Sequence, residues 1–234
     1  GWAIKAHTKL IHSQIQDHGI QSSILFILGM AEYHCGNIIA AEVALSEALK
    51  IYDSVYGTIS EPSIFTRVHL AELLLSNRNG NDYEEILTDV MKHFVSFLHY
   101  NRGKMSSAER FSLMKRLYQP YTQIMRMLAV SDLSPKLLKE ALDFRLNTKS
   151  IILENNFNTK YSDQTFTHLQ ALLKPNEAIV EIVRQVSIDF DNTERIRYLF
   201  FIISANTIDC PSILKVDFLP HNEKEAWVSY HKNI

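Results

Sequence analysis

Cysteine is scarce in this 234-residue chain: Cys35 and Cys210 stand far apart, with neither a Cys-x-x-Cys pair nor Cys/His spacing suited to a metal. That rules out a disulfide-dense scaffold and fits a reducing, cytoplasmic setting. Charge of one sign is lacking too. The 24 basic and 26 acidic residues give a formal net charge of −2, so no electrostatic footprint for nucleic acid or anionic lipid is visible. No apolar stretch reaches the roughly 18 residues of a membrane span, and no charged leader precedes an apolar core. What remains is 46% hydrophobic and 21% charged, ordinary for a globular chain with a sizeable core in one large domain or two modest ones.

Motifs that carry chemistry are missing as well. The ten histidines form no His-x-x-x-His pair and no His-Glu-x-x-His, so no metal site and no metal cofactor are expected. The polar turn from Asn77 to Asp82 holds one glycine but lacks the G-x-x-x-x-G-K pattern of a phosphate loop. Cys210 with His221 or His231 is the nearest thing to a nucleophile and base, and Cys35 lies beside His34. Both thiols read as small structural residues, because neither sits in a turn that would present a thiolate to an imidazole. Lys92, His93, His99, Arg102 and Lys104 form a mild basic cluster that reads as a solvated face. No catalytic and no cofactor-binding residue is assigned.

A repeat is present, with a period of about 42. Residues 22 to 35 predict one helix, Gly36-Asn37 a turn, and residues 38 to 55 a second helix with Ala41, Leu45, Ala48, Leu49 and Tyr52 on one stripe. Leu70-Ala71 follows Leu28-Gly29 by 42 residues, and a helix over 83 to 99 completes a second, degenerate pair in which Ile86 replaces an expected Ala. Leu28, Gly29, Ala41, Leu45, Ala48, Leu70 and Ala71 are the expected packing residues, with the small ones where helices approach closely. Ala6 precedes Ala48 by 42, so residues 3 to 17 read as the second helix of an earlier unit, with at least one more repeat upstream.

Two longer helices follow. Ser106-Ser107-Ala108-Glu109 is a capping box before an unbroken stripe of Phe111, Met114, Leu117, Tyr118, Tyr121, Ile124, Met125 and Leu128; Tyr118 and Tyr121 with Met114, Met125 and Met127 read as core, the alternative being a surface that holds a partner helix. Pro120 should bend or end that helix. Ser134-Pro135 opens the next as N-cap and first residue. The polar run 155 to 164 is the best boundary candidate. Beyond it, residues 178 to 186, 196 to 204 and 213 to 219 read as strands. The first two, nearly continuous apolar runs, should be neighbours in one sheet covered on both faces. Glu223 onward reads as a helix running to Tyr230, and the chain reads as stopping inside its second domain.

This order of elements resembles the bacterial TPR-CHAT proteins, in which tetratricopeptide repeats precede a caspase- and separase-like protease domain. The resemblance is carried by L-G, A, L and A at Leu28-Gly29, Ala41, Leu45 and Ala48, by M-S-S-A-E-R, by S-P-K-L-L-K-E-A-L-D-F-R-L-N-T-K-S-I-I-L, and by L-K-P-N-E-A-I-V-E-I-V-R with Y-L-F-F-I-I-S. It implies a fold of class α + α/β: tetratricopeptide-type repeats over 1–105, linker helices over 106–164, and the opening, non-catalytic part of a caspase-like α/β domain over 165–234. The family's His-Gly and Ser-Ala-Cys turns do not occur here. His18-Gly19 belongs to the array, and Cys210 precedes the strand it would have to follow. The resemblance therefore implies a regulatory, partner-binding portion of a cysteine endopeptidase whose centre lies beyond Ile234. The partner would be a protein regulator or substrate, in the bacterial-defence settings of the family an RNA-guided complex or a gasdermin-like protein. The alternative is a non-catalytic helical-repeat scaffold.

Overall fold

A computed structural model describes residues 17–76, 82–102, 104–130, 133–153, 165–188, 194–206 and 211–218. Among them are seven helices and three strands, and the chain divides into two compact units, 1–123 and 124–234.

In the first unit, α1 (His18–His34) begins where Asp17 accepts hydrogen bonds from the Gly19 and Ile20 amides at 2.9 and 3.1 Å, satisfying two of the orphan donors of a helix start. Gly36, at φ +80°, turns the chain into α2 (Ile38–Tyr56), and Gly57, at φ +86°, turns it out again. The helices α3 (Glu61–Ser76) and α4 (Asp82–Arg102) form the next pair. The sequence periodicity places α1, α2 and α4 within four residues of their observed ends. Neighbouring helices pack in chain order, α1 on α2, α2 on α3 and α3 on α4. Ala41, Leu45, Leu70, Leu73 and Leu74 make one core cluster, and Leu25, Ala48 and Tyr52 another.

The division between the units falls within α5 (Ser107–Val130). The capping box forms: the Ser106 amide donates to Glu109 Oε2 at 2.8 Å and the Glu109 amide to Ser106 Oγ at 3.4 Å. Of the two outcomes expected at Pro120, an early end is overturned: the helix runs ten residues past it, with Leu117 and Ile124 fully buried on either side, so tertiary packing holds the helix across the proline. Its apolar stripe is also split. Leu117, Ile124, Met125 and Leu128 are buried, whereas Phe111 and Tyr118, seven residues apart, both face outward.

The second unit contains α6 (Pro135–Leu153), α7 (Phe166–Ala171) and a sheet of β1 (Ala178–Ile188), β2 (Glu194–Ser204) and β3 (Ser212–Phe218). Ser134 caps α6 by accepting from the Leu137 amide at 3.2 Å. The sheet is an antiparallel meander in the order β1-β2-β3, with Val183 opposite Leu199 and Phe200 opposite Leu214. The first two strands are neighbours, as their patterns predict.

Coverage of both faces is the expectation that fails. On one face Glu181, Val183, Leu199, Phe201 and Ile203 are buried, while on the other Val180, Ile182 and Leu214 are 48%, 49% and 53% exposed. A continuous apolar run signals two covered faces in a parallel sheet, but an antiparallel hairpin imposes no crossover helix to cover the second. The 155–164 boundary, the turn at 77–81 and the helix from Glu223 lie outside the described residues.

Candidate partner-binding surfaces

The expected packing residues come together in the first unit. Ala41, Leu45 and Ala48 on α2 are fully buried, Gly29 on α1 faces them, and Leu70 and Ala71 are buried on α3, while Leu28 is half-exposed. Gly29 shows why a small residue is needed, since a Cβ there would lie 2.7 Å from Leu45 Cγ and 3.2 Å from the Ala41 carbonyl oxygen. Tyr52 Oη reaches across the pair to Ser23 Oγ at 3.3 Å.

Close packing of α1 and α2 leaves a groove of about 860 Å³ lined by Leu25, Leu28, Ile38, Ile39, Val43 and Glu47. Ile39 is 80% and Val43 63% exposed, one helical turn apart. Glu42 and Glu47 rim the adjoining depression of about 570 Å³ with Lys50. Exposed Ile39 and Val43 thus form a short apolar strip with a mixed charged border of Glu42, Glu47 and Lys50.

A second cluster lies between α1, α3 and α5. The rings of Phe26 and His69 meet edge to face at 5.6 Å, His69 Nδ1 is 3.6 Å from Glu72, and Gln123 donates to Glu72 Oε2 at 3.3 Å. His69 Nδ1 and Gln123 Oε1 are buried without a hydrogen-bond partner among the described residues. The cluster brings an aromatic wall, an imidazole and a carboxylate together within the first unit.

Charged groups at the core positions are structural clamps. Arg67, on α3, makes paired bonds to Asp53 of α2 at 3.0 and 2.7 Å and donates to Asp89 of α4 at 3.0 Å, tying three helices together. Burial pulls its pKa down, but Asp53 and then Asp89 outweigh burial, and the net shift is upward. In the second unit Glu181, buried on β1, accepts from Arg145 at 2.9 Å and Lys149 at 2.7 Å, both on α6. Asp143 accepts from the Phe166 amide at 2.5 Å at the start of α7, and desolvation raises its carboxyl above the ordinary range against that bond. Arg197 of β2 pairs with Asp217 of β3 and donates to the Ala129 carbonyl at 2.8 Å. None of these clamps was anticipated from the sequence.

The candidates for chemistry stay apart. Cys35 is an exposed free thiol at the end of α1, and Cys210, His221 and His231 lie outside the described residues. Among the described residues no group of three or more His, Cys, Asp or Glu could hold a metal ion, and no helix is long and apolar enough to cross a membrane. In the basic cluster near 100, His93 lies 3.1 Å from Asp89 and Lys104 lies over the Tyr100 ring at 3.2 Å, while the Arg102 side chain is outside the described residues. Compared with known proteins, the chain matches no family model and no curated sequence.

Proposed function

We propose that this chain is the partner-binding and regulatory portion of a TPR-CHAT type caspase-like cysteine endopeptidase. In this reading its helix pairs recognise a protein regulator or substrate, and the sheet opens a protease domain whose nucleophile and base lie beyond residue 234. The observation that carries it is the 42-residue correspondence of Leu28-Gly29 with Leu70-Ala71, packed as stacked helix pairs and followed in the same chain by helices that lead into a strand meander. Helical pairs that bury a shared core leave their outer surfaces for recognition. The groove along α1 and α2, with Ile39 and Val43 exposed on it, supports this reading as the surface to test first.

Members of the family it resembles are associated with bacterial defence, and by that analogy alone an RNA-guided complex or a gasdermin-like protein is the partner class to try first. The rival reading is a non-catalytic helical-repeat scaffold. Extending the chain beyond Ile234 separates the two. The protease reading expects cleavage that depends on a Cys in that extension, and expects deletion of residues 1 to 99 to change control by a partner more than the chemistry itself. If the extension carries no His/Cys pair and no thiol-dependent cleavage, the scaffold reading stands.

A further inference from the structure

The face of α1 along its groove with α2 repeats, 42 residues earlier, a face of α3 that is already filled. On α3, Leu70, Leu73 and Leu74 share a buried cluster with Ala41 and Leu45 of α2, and Ile86 of α4 packs against it. Arg67 of α3 holds Asp53 of the same α2 by paired bonds. Stepping back 42 residues takes Arg67 to Leu25, Leu70 to Leu28 and Leu73 to Ala31 on α1. Burial does not follow. Leu70 and Leu73 are 6% and 0% exposed, whereas Leu28 is half-exposed and Ala31 exposed. Leu25 and Leu28 line the groove with Ile39 and Val43 of α2. The first helix pair thus presents, open, the kind of surface that α2 covers on the second.

We propose that this groove receives one α-helix of a partner protein, seated against α1 as α2 is seated against α3. The chain's own interface sets the chemistry of that helix. Its contact stripe carries a small residue and, four positions later, a large apolar one, the spacing of Ala41 and Leu45 that lets two helices approach closely. One difference between the two faces sets specificity. Arg67 calls for a carboxylate at the place of Asp53, and Leu25 at the corresponding place excludes one, because a carboxylate buried against leucine has no partner. Ile39 and Val43 extend the apolar contact along the rim. The partner helix is therefore uncharged along its stripe. This inference rests on the part of the proposed function in which the helix pairs bind a protein, and not on the protease. Helix binding and thiol-dependent cleavage by the extended chain can each fail without the other.

The sequence of α2 supplies the probe. A fluorescein-labelled peptide of residues 37–57 carrying Asp53→Leu is titrated with the whole protein, and binding is read by fluorescence anisotropy. The proposal expects saturable binding, weaker by about tenfold or more for the peptide that keeps Asp53 and for one that also carries Leu45→Asp. Ile39→Asp in the protein should weaken binding similarly, since the position is exposed and an acid in the first turn of α2 suits the helix. Val43→Asp reads the same contact at a second site. Absence of saturable binding by the Asp53→Leu peptide overturns the proposal, and so does binding that neither Ile39→Asp nor Val43→Asp changes. Tighter binding of the peptide that keeps Asp53 would place it on α3 in exchange for α2, and also overturns it. Sedimentation equilibrium tests the remaining occupant: a dimer that Ile39→Asp converts to monomer would assign the groove to a second copy instead of a partner helix.

Discussion

Gly29→Ala sets two effects of opposite sign against each other, and the structure decides which wins. Replacing a helical glycine by alanine ordinarily stabilises a helix by about 1 kcal/mol. Here the added methyl would sit 2.7 Å from Leu45 Cγ, 2.9 Å from Leu45 Cδ2 and 3.2 Å from the Ala41 carbonyl oxygen. Leu45 is fully buried among Ala41, Leu70, Leu73 and Leu74, so its side chain has no open space to enter, and the Ala41 oxygen belongs to the backbone of α2. Forcing a methyl into such a contact costs about 1–3 kcal/mol, which leaves a net destabilisation of about 0–2 kcal/mol after the propensity gain. The wholly buried setting favours the upper half of that range. Urea denaturation followed by far-ultraviolet circular dichroism measures the difference. The cycle with Leu45→Ala supplies the control: that truncation alone costs about 2–5 kcal/mol, and in its background Gly29→Ala should become neutral or stabilising by up to about 1 kcal/mol. A net gain of stability for Gly29→Ala in the otherwise unchanged chain would refute the close approach of α1 to α2.

The same reasoning extends to other positions. Ala48→Leu should lower the melting temperature through a loss of about 1–3 kcal/mol, and an unchanged melting curve would mean that Ala48 is not at a helix contact. Arg67→Met should cost clearly more than Arg116→Met. The first leaves Asp53, only 22% exposed, without its paired bonds and removes one of the contacts of the half-exposed Asp89, whereas the Arg116–Glu61 pair is half exposed and worth at most about 1 kcal/mol; equal losses in thermal denaturation would contradict the clamp. Asp143 has a raised carboxyl pKa, so its contribution is fully favourable only below the unfolded value and is lost as pH rises through the folded one. Asp143→Asn keeps an acceptor for the Phe166 amide and should therefore stabilise the second unit near neutral pH, with the gain vanishing in acid. A gain that persists in acid would show that charge is not its cause.

Legibility in the sequence followed the period of the apolar pattern. Where that pattern is unmixed, as over α1 and α2 or along β2, helix and strand positions could be read within a few residues, and the small residues Gly29, Ala41 and Ala48 marked the close contacts. The clamps were hidden because their partners are distant in sequence. Yet one signal was present: Arg67 stands 42 residues beyond Leu25, so a charge occupies the position of a buried leucine and must be paired there. Glu181 gave the same hint, a carboxylate inside the run I-V-E-I-V. The open sheet face was misread because apolar content says how much surface wants cover, while strand direction and connection decide which face gets it. Tyr118 was misread as core on α5 because a broad apolar stripe contains both its buried centre and its exposed flank.

Thiol labelling tests the central claim most directly, namely that these residues provide recognition and the start of a fold while the chemistry lies later in the protein. A thiol-directed activity probe is applied to this chain and to the protein extended beyond Ile234, and the labelled cysteine is mapped by peptide mass spectrometry. The account predicts labelling at a cysteine of the extension, dependent on a histidine of the same extension, and no histidine-dependent labelling of Cys35 or Cys210. Labelling of Cys210 in the isolated chain that disappears on His221→Ala or His231→Ala would contradict it and place the active site within these 234 residues.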